Sequence, residues 1–468
     1  MNKKYFLFIE PKGTSCYLHN GLAYLVGVLA DKAKVEIIDL NYLNWPESKV
    51  FEYIKLAKPD FLGISAKSAN QQKVSTLIKS FRIFYKGKIM VGGPHISLMG
   101  EEYLFEHEEI DFGLRYEAEK AIIDFLDFQN GQKKIEEISG LIYRKDGKII
   151  NNDYKFIIEL DEINFPNFDH YVGIDIKKYF KQNAYPLLTS RGCPYNCIYC
   201  SVKNVSGSAW RPRSVESIIK ELKEVKIKYE ISEFEIVDDN FTMNQTRAIE
   251  FCQALMSYNL DLRWGCPNGL RADKISEKLA RNMYSAGCRY VSIGIESGDE
   301  KVFNNINKGE TLDDIVKAVK ILMDNQIKVS GFFIVGLPYD NLVKTKKTIK
   351  FINNLQLNGG VKWNFLVPYP KTELWQWVRE NAKILSDFSS AKHFSKNNEK
   401  IIPSFETDDF TARQRLRAWI LANLSTSSYR YVFKVPRNKF FYKIKIFFYL
   451  LYYSPKILIK KFVKKIGL

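Results

Sequence analysis

The chain of 468 residues alternates short apolar runs with helical segments, and this alternation occurs twice in succession. In the first series the apolar runs occupy 4–9, 34–40, 61–66, 88–93 and Asp111–Leu114, and the helical stretches lie near 20–32, 47–57, 70–85 and 99–107. Strands that alternate with helices form a parallel sheet with helices on both faces. Residues 1–150 are therefore predicted to form a doubly wound α/β domain of the flavodoxin-like type, which ends in a hairpin at 140–150 with Asp146-Gly147 as its turn.

A second series of the same kind runs from 184 to 381. Its predicted strands are Tyr185–Thr189, Glu233–Asp238, Arg263–Cys266, Tyr290–Ile295, Val329–Val335 and Trp363–Val367, each followed by a helical segment. These units predict a curved parallel sheet in the form of an incomplete barrel, with the chemistry at the carboxyl ends of its strands. Residues 151–183 are interpreted as a linker between the domains, and 382–468 as a C-terminal helical region.

The distribution of the seven cysteines bears on the compartment of the protein. Three lie within eight residues, whereas Cys16, Cys252, Cys266 and Cys288 are scattered, so a disulfide scaffold is not indicated. Cys252, Cys266 and Cys288 stand in apolar or small-residue settings and are predicted to be buried packing residues. The chain starts without the long apolar run of an export signal, and no apolar stretch reaches the roughly 20 residues that span a bilayer. We therefore expect a cytoplasmic protein.

The most specific motif is the loop after the first strand of the second series, Ser190-Arg-Gly-Cys193-Pro-Tyr-Asn-Cys197-Ile-Tyr-Cys200. Three thiolates with this spacing can bind three irons of a cubane iron–sulfur cluster and leave the fourth iron open to a small ligand. A zinc site or a ferredoxin-like electron carrier would need a fourth ligand, and the nearby His170 lies 23 residues before the loop. We therefore interpret Cys193, Cys197 and Cys200 as ligands of a redox-active cluster in an enzyme.

The Cys-x3-Cys-x2-Cys spacing, with the aromatic Tyr199 directly before the last cysteine, resembles the signature of radical S-adenosylmethionine (SAM) enzymes. The resemblance covers the second series, which would be the partial (β/α)6 barrel of that family. It implies a [4Fe-4S] cluster whose open iron binds the amino and carboxylate groups of SAM. One electron from the cluster would then cleave SAM to methionine and a 5′-deoxyadenosyl radical, which abstracts hydrogen from a substrate.

Polar residues at other strand ends of the second series agree with this resemblance. Asp239 follows the second strand, Arg271 follows the third, and Glu296 stands between Gly294 and Gly298 at the end of the fourth. A single Glu at such a position is as often a solvated charge as a functional one. By resemblance, the predicted SAM contacts are Tyr199, Asp239, Arg271, Gly294 and Glu296.

Strand ends of the first series carry a second group of candidate residues. Gly92-Gly93-Pro94-His95 ends the fourth strand, where glycines let a bulky ligand rest on the backbone, and Ser65 ends the third strand beside it. Together with Glu117-x-Glu119, these residues resemble the cobalamin-binding domain that is fused to one large branch of radical SAM enzymes. The resemblance implies cobalamin contacts at Ser65, Gly92, Gly93, His95 and Glu117.

The first domain departs from the usual cobalamin-binding pattern in two places. The Asp-x-His-x-x-Gly motif is absent, which implies that no His from that position binds cobalt, and Tyr116 and Ala118 stand where glycines are usual around the two acids. The alternatives are a vestigial doubly wound domain and, for the acids, a simple helix cap. Methylthiotransferases with a second three-cysteine cluster are excluded, because residues 1–192 contain only Cys16.

The last 39 residues are strongly basic and aromatic. From Arg430 to Leu468 there are eleven Lys or Arg and no Asp or Glu, which accounts for most of the net charge of +17. Aromatic residues interleaved with Lys between Phe440 and Tyr453 are typical of an interfacial helix on anionic lipid. The alternatives are a helix packed on the barrel and a basic lid over an anionic substrate. Because the charge is concentrated in this tail, no nucleic-acid partner is expected.

These patterns together predict a cobalamin-dependent radical SAM enzyme, whose reaction by resemblance is methyl transfer to an unactivated carbon. Its cofactors would be a [4Fe-4S] cluster, SAM and cobalamin. Its partners would be an external electron donor of the flavodoxin or ferredoxin type, an unidentified substrate that is interpreted as lipid-linked or anionic, and a membrane surface contacted through 430–468. The alternatives are a cyclase or rearrangement enzyme of the same branch, and a sensor that binds both cofactors without turnover.

Overall fold

The computed structural model describes residues 3–13, 17–386 and 403–426, and its first sheet has seven strands. They are β1 (Tyr5–Glu10), β2 (Lys34–Asp39), β3 (Phe61–Ser65), β4 (Lys88–Gly92), β5 (Phe112–Leu114), β6 (Leu141–Lys145) and β7 (Lys148–Asn151). Their spatial order is β2-β1-β3-β4-β5-β6-β7, and the first five are parallel. The order of these five strands is that of the flavodoxin-like fold, which confirms the prediction for this domain.

Helices cover both faces of the first sheet. They are α1 (Asn20–Leu29), α2 (Glu47–Ala57), α3 (Gln71–Arg82), α4 (Pro94–Glu106) and α5 (Glu119–Gln129). In β1, Phe6 and Phe8 pack into one hydrophobic core with α1 and α5, and Leu7 and Ile9 pack into the other core with α2, α3 and α4. Burial on both faces explains why these strands read as continuous apolar runs in the sequence.

The hairpin predicted at 140–150 is formed by β6 and β7. Its turn consists of Asp146 with φ 51° and Gly147 with φ 76°, the left-handed pair that a type I′ turn requires. Because β6 also pairs antiparallel with β5, the hairpin extends the parallel sheet.

The segment that follows the hairpin, interpreted as a linker at 151–183, packs against the first sheet. The N–H of Ile37 donates to the carbonyl of His170, and the N–H of Val172 donates to the carbonyl of Ile37, both at 2.8 Å. Phe168 and Tyr171 are buried, and the segment ends in helix α6 (Ile176–Gln182). The segment therefore adds contacts to β2 before the chain enters the second sheet.

The second sheet begins with β8 (Tyr185–Leu187), which is followed by the antiparallel two-residue strands β9 (Ser190–Arg191) and β10 (Arg211–Pro212). The next strands are β11 (Glu233–Ile236), β12 (Arg263–Leu270), β13 (Cys288–Glu296), β14 (Lys328–Val335) and β15 (Gly360–Phe365). The six-stranded sheet has the order β15-β14-β13-β12-β11-β8 and is parallel throughout. This is the open barrel predicted from the second series. Only β12 runs well past its predicted end, because a bulge after Cys266 carries the strand on to Leu270.

The helices of the second half lie along this open barrel. They are α7 (Val202–Val205), α8 (Val215–Tyr229), α9 (Gln245–Ser257), α10 (Glu277–Ser285), α11 (Glu300–Asn304), α12 (Leu312–Asp324), α13 (Leu342–Leu355) and α14 (Glu373–Asn381). Short 3-10 helices occur at Ile135–Glu137, Leu160–Glu162, Phe241–Met243 and Ala272–Lys274. Cys252, Cys266 and Cys288 are buried in the core of this half, as the sequence predicts.

The C-terminal region consists of β16 (Lys383–Ile384), β17 (Phe405–Glu406) and helix α15 (Ala412–Ser425). The helix packs against β15, and the Trp419 indole N–H donates to the carbonyl of Trp363 at 3.1 Å. Arg415 reaches further into the barrel and donates to the carbonyl of Gly336 at 3.1 Å. Helix α15 therefore covers the last strand of the open barrel.

No helix in the part of the chain that the structure describes is long and apolar enough to cross a membrane. The basic aromatic tail at 430–468 lies outside the described residues. Its contact with a membrane surface and the two alternatives therefore remain predictions.

Candidate active site

The three cysteines of the predicted cluster loop lie between β9 and α7. They are half-buried and form no disulfide. The loop is tied to other segments, since the N–H of Cys193 donates to Gly207 O at 3.2 Å and the N–H of Ile198 donates to Ile306 O at 3.1 Å. Gly192 has φ 82°, and a side chain there would collide with a backbone carbonyl ahead of β10. Contacts with two other segments therefore fix the shape of the loop.

The chemistry of this donor set fits an iron–sulfur cluster. Burial raises the pKa of the Cys197 thiol to about 11 and that of the Cys200 thiol to about 12, so both thiols are protonated without a metal. Metal binding deprotonates such thiols, because the charge of the metal stabilises the thiolate. Within the described ranges, no three His, Cys, Asp or Glu side chains converge on one point that could hold a single metal ion. A cubane cluster needs no such point, since each cysteine binds a different iron.

Arg271, a predicted SAM contact, is engaged by groups of the protein. Its guanidinium lies 3.4 Å from the centroid of the Tyr195 ring, which belongs to the cysteine loop. Its Nη1 and Nη2 donate to the carbonyls of Lys308 and Gly309 at 2.6 and 3.0 Å, and its Nε donates to Asp273 at 2.9 Å. Arg271 therefore joins the cysteine loop to the segment after α11, and its contact with SAM stays a prediction.

Tyr199 and Glu296, two further predicted SAM contacts, are hydrogen-bonded to each other. The Tyr199 hydroxyl donates to Glu296 Oε1 at 3.0 Å, and Lys308 Nζ lies 3.8 Å from the same oxygen. Glu296 has φ 62°, a left-handed conformation that is uncommon outside glycine, and burial raises its pKa. A Cβ at Gly294 would meet the Glu296 carboxylate and the Lys308 ammonium. The space beside Gly294, a predicted SAM contact, is thus occupied by side chains of the chain itself.

The two aspartates after β11 have different surroundings. Asp238 is buried and accepts hydrogen bonds from the N–H and Oγ1 of Thr189 and from Ser190 Oγ, each at 2.6 Å. It therefore anchors the segment that leads from β8 into the cysteine loop. Asp239, the predicted SAM contact, is exposed and lines a cavity.

This cavity has a volume of about 620 Å³ and lies between the carboxyl ends of the two sheets. Its wall on the first domain includes Ser65, Gly92, Gly93 and Glu117, and its wall on the barrel includes Asp239, Asn268 and Ser206. A volume of this size is typical of small-molecule and cofactor sites. The structure therefore brings one predicted SAM contact, Asp239, to the same cavity as four predicted cobalamin contacts. The other predicted SAM contacts, Tyr199, Arg271, Gly294 and Glu296, and the three cysteines are not among its lining residues.

The two glycines predicted to contact cobalamin serve different purposes. Gly93 has φ 99°, and a Cβ there would lie 2.9 Å from Ala66 O, so the turn itself requires glycine. At Gly92 a Cβ would meet nothing nearer than 3.6 Å, so this glycine leaves the cavity wall open. His95 lies outside the cavity lining and has its Nδ1 3.2 Å from Ser68 Oγ.

His19, which sequence reasoning missed, lines the cavity in the loop after β1. Its Nδ1 accepts a hydrogen bond from the N–H of Leu22 at 3.1 Å, so the proton of the neutral ring is on Nε2. Nε2 lies 3.3 Å from Ser65 Oγ and 3.6 Å from Glu10 Oε2. Burial lowers the pKa of His19, and both ring nitrogens are engaged by the protein.

Glu117 and Glu119 form ion pairs with two arginines of the barrel domain, and we call these four residues the interdomain ion pairs. Arg211 binds Glu117 with both nitrogens, Nη2 to Oε1 at 2.5 Å and Nη1 to Oε2 at 2.8 Å. Arg191 Nη2 donates to Glu119 Oε1 at 2.6 Å. All four side chains are less than 10 % exposed. Glu117, which was predicted to contact cobalamin, thus helps with Glu119 to hold the first domain against β9 and β10, which flank the cysteine loop.

Sequence reasoning missed Arg191, Arg211 and Lys308 as residues of this site. Arg191 lies within the cysteine motif, and Lys308 lies in a charged Lys-Gly-Glu sequence after α11, so both gave a weak local signal. Arg211 gave none, because its partner Glu117 is 94 residues away in the sequence.

Two family models match the chain. The model described as the Radical SAM superfamily matches residues 187–352, a range that contains the cysteine loop and Glu296. The model described as the B12 binding domain matches residues 14–126, a range that contains Ser65, Gly92 and Glu117. The two matches therefore cover the two walls of the cavity.

Similar curated proteins include two methyltransferases and a cyclase. An uncharacterized methyltransferase of Pyrococcus horikoshii is 32% identical over 371 residues, which are 78% of this chain and 79% of the relative. The cytidylyl-2-hydroxyethylphosphonate methyltransferase of Streptomyces wedmorensis is 27% identical over 71% of this chain and 72% of the relative. The anaerobic magnesium-protoporphyrin IX monomethyl ester cyclase of Rubrivivax gelatinosus is 25% identical over 78% of this chain and 66% of the relative.

Similar solved structures include two enzymes whose match extends over 90% or more of this chain. The radical SAM methyltransferase TsrM from Kitasatospora setae has a TM-score of 0.72 at 14% identity and covers 90% of this chain and 88% of its own. The cobalamin-dependent SAM radical enzyme OxsB has a TM-score of 0.72 at 17% identity and covers 100% of this chain and 76% of its own. At these identities the likeness concerns the fold alone. The 32% identical relative, the two family-model matches and the cysteine loop together show that the chain belongs to the family of cobalamin-dependent radical SAM enzymes. The cofactors of this family are a [4Fe-4S] cluster, SAM and cobalamin.

Proposed function

We propose that the protein transfers a methyl group from SAM to an unactivated carbon of its substrate. The observation that carries this proposal is the cavity shared by the two carboxyl edges, with Gly92 on one wall and Asp239 on the other. A methyl carrier and a source of radicals can act on the same carbon only if both face the same space. When bound, cobalamin supplies a carrier for the methyl group and the cluster supplies one-electron cleavage of SAM.

The residues of the candidate site have distinct tasks in this proposal. The three thiolates of the cysteine loop would bind three irons of the cluster, and one iron would then be free for SAM. Tyr199 and Glu296 form a fixed hydrogen-bonded pair, whose carboxylate can accept further hydrogen bonds from the polar groups of SAM. Gly92 leaves the wall open for a large flat ligand, and the interdomain ion pairs keep the two walls at a constant separation.

Two relatives with methyltransferase in their names support methyl transfer, and the relative named as a cyclase supports ring formation as the alternative. The two reactions consume SAM differently. Methyl transfer converts one SAM to S-adenosylhomocysteine and cleaves a second to methionine and 5′-deoxyadenosine, which carries the hydrogen removed from the substrate. A cyclase that uses only the radical forms 5′-deoxyadenosine without S-adenosylhomocysteine. In both reactions the electrons come from an external donor, for which we propose a flavodoxin or ferredoxin.

The experiment is an incubation of protein loaded with cluster and cobalamin, in which the reductant and SAM are present and both nucleoside products are measured by mass spectrometry. We expect both S-adenosylhomocysteine and 5′-deoxyadenosine. Formation of 5′-deoxyadenosine alone would contradict methyl transfer and favour the cyclase. Formation of neither product would favour a sensor that binds the cofactors without turnover.

Gly92→Leu should release cobalamin and leave the cluster in place. The leucine side chain would extend from an open part of the cavity wall, where the backbone has no steric need for glycine. The measurement is cobalamin absorbance and iron content after refolding with hydroxocobalamin. Gly131→Asn is the control, because Gly131 lies outside the cavity lining, has φ 75° and open space around it, and Asn tolerates that conformation. Full cobalamin content in Gly92→Leu would contradict binding at this wall.

A further inference from the structure

Asn240 places its side-chain amide beside the sulfur of a cluster ligand. It follows β11 and is only 2 % exposed. Its Nδ2 lies 4.0 Å from Cys193 Sγ and 3.6 Å from Met243 Sδ. Both neighbours are sulfur atoms, which accept hydrogen bonds, and this fixes the orientation of the amide with its N–H groups toward them.

The backbone of Asn240 is held in place from two directions. The indole N–H of Trp210 donates to the carbonyl of Asn240 at 3.0 Å. Two residues earlier, Asp238 is bound to Thr189 and Ser190, which lead into the cysteine loop. The amide and the loop are therefore positioned by the same set of contacts.

The amide oxygen of Asn240 indicates that this residue does not stabilise the fold. Its Oδ1 is buried and has no hydrogen-bond partner within the part of the chain that the structure describes. A buried polar atom without a partner is destabilising, and a leucine would fill the same space without that loss. The N–H groups of Asn240 therefore have a use that compensates for the unpaired oxygen.

We propose that Asn240 donates an N–H···S hydrogen bond to the thiolate of Cys193 and thereby raises the reduction potential of the cluster. Reduction adds an electron whose charge is spread over the irons and their sulfur ligands. A hydrogen bond to one of those sulfurs stabilises the added charge, and such bonds are among the determinants of cluster potentials. Asn240 is thus a positioning residue for the cluster, and the proposal depends on the cofactors of the family and not on methyl transfer.

The test compares the midpoint potential of the reconstituted cluster in the wild-type protein and in Asn240→Leu, by redox titration followed with electron paramagnetic resonance. Leucine has nearly the same size and no N–H to donate. We expect the equilibrium constant for one-electron reduction to fall about tenfold, which corresponds to a midpoint about 59 mV lower. Iron content is measured on the same samples, so that a change in potential is separated from loss of the cluster.

Met243→Leu is the matched control, since it changes the other sulfur near Nδ2 and leaves the contact with Cys193 intact. We expect its midpoint to equal that of the wild-type protein. If Asn240→Leu does not assemble a cluster, Asn240→Ala decides, because it removes the N–H donor without adding a charge or a larger side chain. A wild-type midpoint in a fully loaded Asn240 variant would overturn the proposal.

Discussion

Replacing Cys193, Cys197 and Cys200 together with alanine should lower the iron content from about four per chain to nearly zero and abolish SAM cleavage. The loop offers no other cysteine as a ligand for iron. The three thiols are half-buried and form no disulfide, so they are available to bind iron. The measurements are iron per chain after anaerobic reconstitution and the 5′-deoxyadenosine formed from SAM under reducing conditions.

Cys252→Ala is the control for this experiment. Its thiol is fully buried in the core of the barrel domain and lies outside the cysteine loop. We expect it to keep full iron content and SAM cleavage, with at most a modest loss of stability from the small cavity. Full iron content in the triple variant would show that the cluster has other ligands.

Arg211→Met should reduce the free energy of unfolding by about 3–5 kcal/mol, because it leaves the buried Glu117 carboxylate without its bidentate partner. Arg211 also donates to the carbonyls of Ile157 and Ser206, at 2.5 and 2.7 Å, so further acceptors lose a donor. The measurement is urea unfolding of the variant and the wild-type protein under the same conditions.

Removing both partners should restore part of this stability. In Glu117→Leu/Arg211→Met no charge is left uncompensated at this position, so the double variant should be more stable than Arg211→Met alone. The exposed pair of Arg281 and Glu277, with 70% and 48% of the side chains accessible, is the control, and Arg281→Met should lower the free energy of unfolding far less than Arg211→Met does. Equal stability of Arg211→Met and Arg281→Met would contradict the role of the interdomain ion pairs.

The parts of the structure that depend on neighbouring residues could be predicted from the sequence. Buried parallel strands such as β1 are continuous apolar runs, and the turn at Asp146-Gly147 follows from the φ angles that those residue types tolerate. The cysteine loop was recognisable because three cysteines with a characteristic spacing lie in one short segment. In each case the physical cause lies within about ten residues of the feature.

The roles of single charged residues could not be predicted, because they depend on segments that meet only after folding. Glu117 could not be recognised as the partner of Arg211, since no local pattern relates two sites in different domains. Arg271 has the chemistry of an anion-binding residue, yet a tyrosine, an aspartate and two carbonyls surround its guanidinium. The space at Gly294 depends likewise on the left-handed backbone of Glu296, which brings its carboxylate back over the strand.

The buried ion pairs between the domains have a consequence for the timing of the reaction. Separating the two cavity walls would pull four buried charges apart, so we expect the domains to stay together during the proposed reaction. If the cysteine loop holds the cluster as proposed, one iron would stay open, and SAM molecules would bind there in succession. On the proposed function, S-adenosylhomocysteine therefore has to leave before the second SAM can bind. The order of the two steps would then be set by the release and binding of small molecules, and not by movement of the domains.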